Sequence, residues 1–195
     1  MLQVSFNPFP ILKSERLLLR PVTPADVEEV FAIRSDPETM KYIPRPLAKT
    51  KQDALDHIEM VSKGVEENEF INWGITLKGD DKLIGMICLL RMQLNNFRTE
   101  IGYILHPDFH GQGIMSEALP VIIDYAFNIL NFHSLEAVID PRNTASEKLL
   151  LKYQFVKEAH LKENEFYDGE FLDTVIYSKL NPNEGIKKDF FSAKD

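Results

Sequence analysis

The 195-residue chain is 44% hydrophobic and 27% charged, an ordinary globular composition that suits one domain with a sizeable core. Its formal net charge of −8 argues against a nucleic-acid partner, whose phosphates are held by clustered Lys and Arg, and fits a basic or amine-bearing one. No apolar run approaches the roughly 20 residues of a spanning helix. The opening MLQVSFNPFPILK lacks the features of a signal peptide, and the single cysteine, Cys88, cannot form an internal disulfide, so a reducing, cytoplasmic setting is expected.

In chain order, the first regular element is a strand over Glu15 to Val22 (ERLLLRPV), ended by Pro21. Thr23-Pro24-Ala25-Asp26 then starts a helix. Thr23 caps it, Pro24 suits the first helical position, and Asp26 faces the positive end of the dipole. That helix runs through Val27, Val30, Phe31 and Arg34, and Asp36-Pro37-Glu38 restarts a short one. Thr50 with Asp53 opens a third, in which Leu55, Ile58, Val61 and Val65 recur at helical spacing.

From Phe70 the period changes. Strands over Phe70 to Leu77, Lys82 to Arg91 and Arg98 to Leu105 form an antiparallel meander, with turns at Lys78-Gly79-Asp80-Asp81 and Asn95-Asn96. After a glycine loop, Ala118, Val121, Ile122, Tyr125, Ala126 and Ile129 make one buried helix face. Pro120 inside this helix removes the amide that would bond the Ser116 carbonyl, which predicts a kink or a carbonyl satisfied by water. Leu135 to Ile139 is a short strand, and Asn143 caps a helix carrying Ala145, Leu149, Leu150 and Tyr153. Strands around Val156 to Phe166 and Phe171 to Leu180 flank a turn at Asp168-Gly169. This order predicts an α+β fold with a mixed sheet, as a single domain over residues 1–180 with a polar tail over 181–195.

The stretch EIGYILHPDFHGQGIMSEAL, residues 100–119, places two glycines between a strand and a helix. A dinucleotide fingerprint would need a third glycine at Ser116 and an acidic residue about 20 positions on, and both are missing. A P-loop would need Gly-Lys-Ser/Thr. Two readings remain: a tight structural turn, or a diphosphate cradle in which the amides of Gln112, Gly113, Ile114 and Met115 face anionic oxygens at a helix N-terminus. Each such bond is worth about 1.5–3 kcal/mol, so three or four hold a ligand without any lysine.

This stretch resembles the acetyl-CoA-binding motif of the GNAT acetyltransferases, (Gln/Arg)-x-x-Gly-x-(Gly/Ala), and is most similar to the Rim-type ribosomal-protein N-terminal acetyltransferase branch. The likeness extends over nearly the whole chain, through SERLLLRPVTPADVEEVFAIRSDPETMKYI, KLIGMICLL, NTASEKLLLKYQF and GEFLDTVIYSKL. His110 stands in the Gln/Arg position, Met115 in the small-residue position, and Gln154 where a glycine normally precedes Phe155. The resemblance implies a GNAT fold, a largely antiparallel sheet flanked by helices and splayed open after the strand Glu100 to Leu105. It also implies acetyl-CoA as cosubstrate, with no metal. The cofactor-binding residues carried over are Tyr103, Ile104, Leu105, Gly111, Gln112, Gly113, Ile114, Met115, Ser116 and Asn143. The freed amide of Ile104 is expected to meet the thioester oxygen. Asn143 contacts pantetheine, caps its helix, or does both.

The implied reaction is attack of a neutral amine on the thioester with loss of the CoA thiol. Freeing a lysine of pKa near 10.4 at pH 7 costs about 4.6 kcal/mol, and an α-amine only about 1–1.4. A protein N-terminus is therefore the first acceptor to consider, and a small amine such as a polyamine or aminoglycoside the second. A non-catalytic acyl-CoA-binding module is the third reading, since Leu150 replaces the family's acidic tyrosine. Glu100 is the candidate proton acceptor, or else a strand residue paired with Arg98 or Arg91. Ser146 matches the branch's serine near the departing sulfur, or is an ordinary first-turn serine. Tyr153 and Tyr177 are within reach of the site or belong to the core. Self-association as a homodimer is left open.

Overall fold

The computed structural model describes residues 1–183. A single eight-stranded sheet runs through it in the order β1-β2-β3-β4-β5-β6-β8-β7. Its strands are β1 (Leu12–Lys13), β2 (Leu17–Pro21), β3 (Ile71–Leu77), β4 (Asp80–Gln93), β5 (Arg98–Leu105), β6 (Ser134–Ile139), β7 (Val156–Tyr167) and β8 (Glu170–Leu180). The helices are α1 (Val27–Ser35), α2 (Pro37–Met40), α3 (Lys51–Glu66), α4 (Ile114–Asp124) and α5 (Thr144–Lys152).

All neighbouring strands are antiparallel except β5 and β6. That parallel pairing lasts only from Arg98↔Ser134 to Glu100↔Glu136. Beyond Glu100, β5 stays on β4 and β6 stays on β8, so the sheet opens into a V. One face packs Trp73, Ile87, Leu89 and Ile101 against Ile122, Phe132 and Leu150. The opposite face packs Leu83 and Met86 against Val30, Ile33 and Ile58.

The helix starts follow the capping chemistry. Thr50 and Asp53 form a reciprocal box on α3, and Asp36 accepts from the Thr39 amide on α2. Asp26 does more than face a dipole. A 3₁₀ turn, Pro24–Asp26, precedes α1, and the buried Asp26 carboxylate pairs with Arg20 at 2.7 Å. Burial alone would raise its pKa, but hydrogen bonds from Arg20 and the Thr23 amide hold it below the ordinary carboxylate range.

Two features of α4 depart from the sequence pattern. The chain runs from α4 into a π-helical turn, Tyr125–Ile129, which shifts the helical phase and leaves Ile129 62% exposed. The Ser116 carbonyl freed by Pro120 gains a side-chain partner. The Tyr153 hydroxyl, from the end of α5, donates to it. Gln154 adopts φ +63°, the left-handed conformation that accounts for the family's glycine there. Asn181, at the start of the expected tail, is buried and donates to the Phe127 and Phe132 carbonyls at 3.2 and 3.1 Å. Phe190-Phe191 lies outside the described residues.

Tyr153→Phe is expected to cost about 1–2 kcal/mol in a urea titration, because it orphans the Ser116 carbonyl. In a Pro120→Ala background the helix supplies its own amide, and the cost should fall to a few tenths.

Candidate active site

The loop before α4 is shaped by two glycines, Gly111 at φ +71° and Gly113 at φ +76°. A side chain at either would be strained in that conformation. Glu117 N donates to Gly113 O, closing the first turn of α4. Among the described residues, the amides of Gly111, Gln112, Gly113, Ile114, Met115 and Ser116 have no acceptor. They form a row of unspent donors at the positive end of a helix dipole, which suits a diphosphate. Ile114 is anchored by its buried side chain, so its contribution is its amide.

A cation does stand beside this loop. Arg16, from the β1–β2 connection, donates to the Gln112 carbonyl at 3.3 Å and pairs with Glu117 at 2.6 Å. Its Nη2 lies 3.6 Å from where a Gly113 Cβ would be. Nothing in its local sequence marks it, since it reaches the loop only through the pairing of β1 and β2 and the packing of α4. His110 has its own task there: its Nε2 lies 3.0 Å from the Leu105 carbonyl.

The unpaired edge of β5 is fixed by ladder alternation. His106 N donates to Ile84 O, so the β5 main-chain groups two residues earlier face the same way. Ile104, opposite Met86, therefore spends its amide on β4. This corrects the expectation that the Ile104 amide is free. The main-chain groups of Tyr103 and Leu105 face the opening of the V instead.

Side chains on β5 alternate as well. Glu100, Gly102 and Ile104 point to the α1/α3 face, and Tyr103 and Leu105 to the α4/α5 face. A cavity of about 750 Å³ lies in the V, with Glu100, Gly102, Asn143 and Ser146 in its wall. Glu100 is 9% exposed and accepts from Arg91 at 2.7 Å. A bulge between Leu90 and Gln93, with Arg91 at φ +48°, brings the two together. Burial raises the Glu100 pKa, and Arg91 opposes that rise. Arg98, the other partner considered, pairs with Glu136.

On the far side of the V, the hydroxyls of Tyr103 and Ser146 lie 2.7 Å apart. Burial pushes the Tyr103 hydroxyl up to about 12, so it stays a neutral donor. Asn143 caps α5 by accepting from the Ser146 amide at 3.1 Å. The Tyr103 side chain is thus a member of the site that strand reading alone missed, because its partner lies 43 residues away. Leu150 is fully buried, Tyr177 donates to Glu147, and the Tyr153 hydroxyl is committed to Ser116. Cys88 also lines the cavity, but burial pushes its thiol up to about 12, which rules out a thiolate nucleophile at neutral pH.

Gly113→Val should weaken coenzyme A binding more than about 10-fold by calorimetry, since it twists the donor row, while far-ultraviolet circular dichroism stays unchanged.

Residues 16–156 match the family model for the acetyltransferase (GNAT) domain. The uncharacterized N-acetyltransferase YoaA of Bacillus subtilis is 34% identical over 176 residues, covering 90% of this chain and 99% of that one. The crystal structure of a GNAT-family acetyltransferase from Bacillus anthracis superposes with a TM-score of 0.79 at 27% identity, over 88% of this chain and 99% of the other. Two relatives have named acceptors. The ribosomal-protein-serine acetyltransferase of Escherichia coli is 31% identical over 52% of this chain and 56% of its own length. The spermidine N(1)-acetyltransferase of Vibrio cholerae is 24% identical over 88% of this chain and 99% of its own length. With residues 16–156 matched to its family model and a relative 34% identical over 90% of its length, the chain belongs to the GNAT family of acetyltransferases.

Proposed function

We propose that the chain transfers the acetyl group of acetyl-CoA to the α-amine of a protein N-terminus, as in the Rim-type branch. The observation that carries this is that β5 leads from Glu100, buried in the cavity wall, through Tyr103 to the unspent amides at Gly111 to Ser116. Acetyl-CoA supplies a thioester whose carbonyl carbon takes up the amine. The loop amides and the α4 terminus hold the diphosphate, and the Tyr103 main chain with the Leu105 amide aligns the pantetheine arm. An edge amide from that pair donates to the thioester oxygen as negative charge develops there.

Glu100 accepts the proton of the attacking amine, directly or through water, and Arg91 keeps it ionised. Ser146 hydrogen-bonds the departing sulfur while the Tyr103 hydroxyl donates to Ser146 from behind. A free thiol has a pKa near 8.5, so a hydrogen bond suffices and no strong acid is required. An α-amine fits a single carboxylate base better than a lysine does, because it demands so much less deprotonation. The spermidine relative, and the carboxylates of Glu165, Asp168 and Glu170 at the cavity rim, favour a small polyamine as the second reading.

Release of CoA thiol with a panel of peptides and small amines, and mass spectrometry of the products, decides between the acceptors. Labelled α-amines support the proposal, and acetylated spermidine alone would overturn it. With a reactive acceptor, kcat/KM should rise with pH as Glu100 loses its proton, along an acid limb above the ordinary carboxylate range. Arg91→Gln removes the opposing charge and should move that limb to higher pH. Glu100→Gln should abolish the limb and lower the rate about 10²–10⁴-fold. Ser146→Ala should lower kcat while leaving the affinity for acetyl-CoA unchanged.

A further inference from the structure

The cavity wall formed by α1, α3 and the loop between α2 and α3 carries charge that the acetyl-transfer chemistry does not use. Arg34, in the last turn of α1, lines the cavity half-buried, and no carboxylate or carbonyl bonds its guanidinium among the described residues. Its charged neighbour is Arg45, whose guanidinium bonds, among the described residues, the Pro44 carbonyl at 3.2 Å. The loop is pinned over α1 by Ala48 N donating to Arg34 O at 3.0 Å, which keeps both guanidinium groups on one wall.

His57 stands beside Arg34, and burial with that neighbouring charge drives its pKa down to about 4. It is therefore neutral at pH 7 and adds no counter-charge. The other cations of the wall are spoken for: Arg91 by Glu100, Arg142 by Asp140, and Lys41, at 3.6 Å, by Glu38. Two like charges on one cavity wall, Arg34 half-buried and Arg45 exposed, neither paired with a carboxylate among the described residues, are an anion site in wait.

We propose that the acceptor carries an anionic group beside its amine and that Arg34 and Arg45 hold this anion. The inference rests on the amine-acetylation reading and narrows it. The anion is either an acidic side chain next to the N-terminus of a peptide or the α-carboxylate of a free amino acid. A polycation meets repulsion from this wall.

Calorimetry on the CoA-bound protein tests the docking whether or not transfer follows. Two matched pairs serve as probes: peptides beginning Ser-Glu against Ser-Gln, and alanine against alaninamide. The anionic member of one pair should bind about 10- to 100-fold more tightly, and the pair that responds names the source of the anion. Arg34→Gln, and Arg45→Gln on the exposed loop, should each remove most of that preference without changing coenzyme A affinity. Equal binding within both pairs overturns the proposal. So does a preference that survives both arginine variants, or a fall in Tm for Arg34→Gln with the preference intact, which would make Arg34 a helix-terminal charge only. Anion-dependent binding without acetyl transfer leaves this inference standing and overturns the proposed function. Transfer without anion dependence does the reverse.

Discussion

The separation of β5 from β6 after Glu100 is the constraint on which the rest depends. A sheet normally consumes its main-chain donors and acceptors in the ladder, and a strand that loses its neighbour inside a protein leaves them owed. Here the debt is local. It falls on Tyr103 and Leu105 along one strand, and on the six amides from Gly111 to Ser116 where the same strand turns into α4. One continuous stretch of backbone thus becomes a binding surface for an extended ligand with an anionic middle, and no cluster of basic side chains is needed to make it.

The chemistry on either side of the opening is divided by the alternation of β5. Glu100 looks toward the face with α1 and α3, and Tyr103 toward α5 and Ser146. In the proposed reaction, proton removal from the incoming amine and stabilisation of the departing sulfur fall on opposite faces of one strand. Burial raises the pKa of Glu100, yet its bond to Arg91, delivered by a bulge in the neighbouring strand, limits that rise.

Much of this could be read from the residues because it depends on local chemistry. The meander ends, the Asp36 and Thr50 caps, the Asn143 cap and the turn at Asp168-Gly169 all follow from neighbours a few positions apart. The glycine loop was legible for the same reason, since left-handed φ at Gly111 and Gly113 is a demand of the backbone itself. What escaped depends on distant partners. Arg16 reaches Gln112 across 96 residues, and Tyr153 reaches Ser116 across 37. The Ile104 amide was misassigned because its direction is set by the register of β4 on β5, which composition and spacing do not encode. Ile129 was misplaced because a π-helical turn changed the helical period midway along an otherwise regular apolar pattern.

The bond from Tyr153 to Ser116 has a mechanical meaning. Helix α4 continues from β5 and α5 continues from β6, so each prong of the fork carries its own helix. Past the branch point the prongs share no ladder bonds, and this hydroxyl ties one helix to the other behind them. A proline that spoils one helical bond thereby creates the anchorage for a crossbar. The span of the fork is set by that crossbar and by core packing, so the gap stays propped at one width before anything enters it.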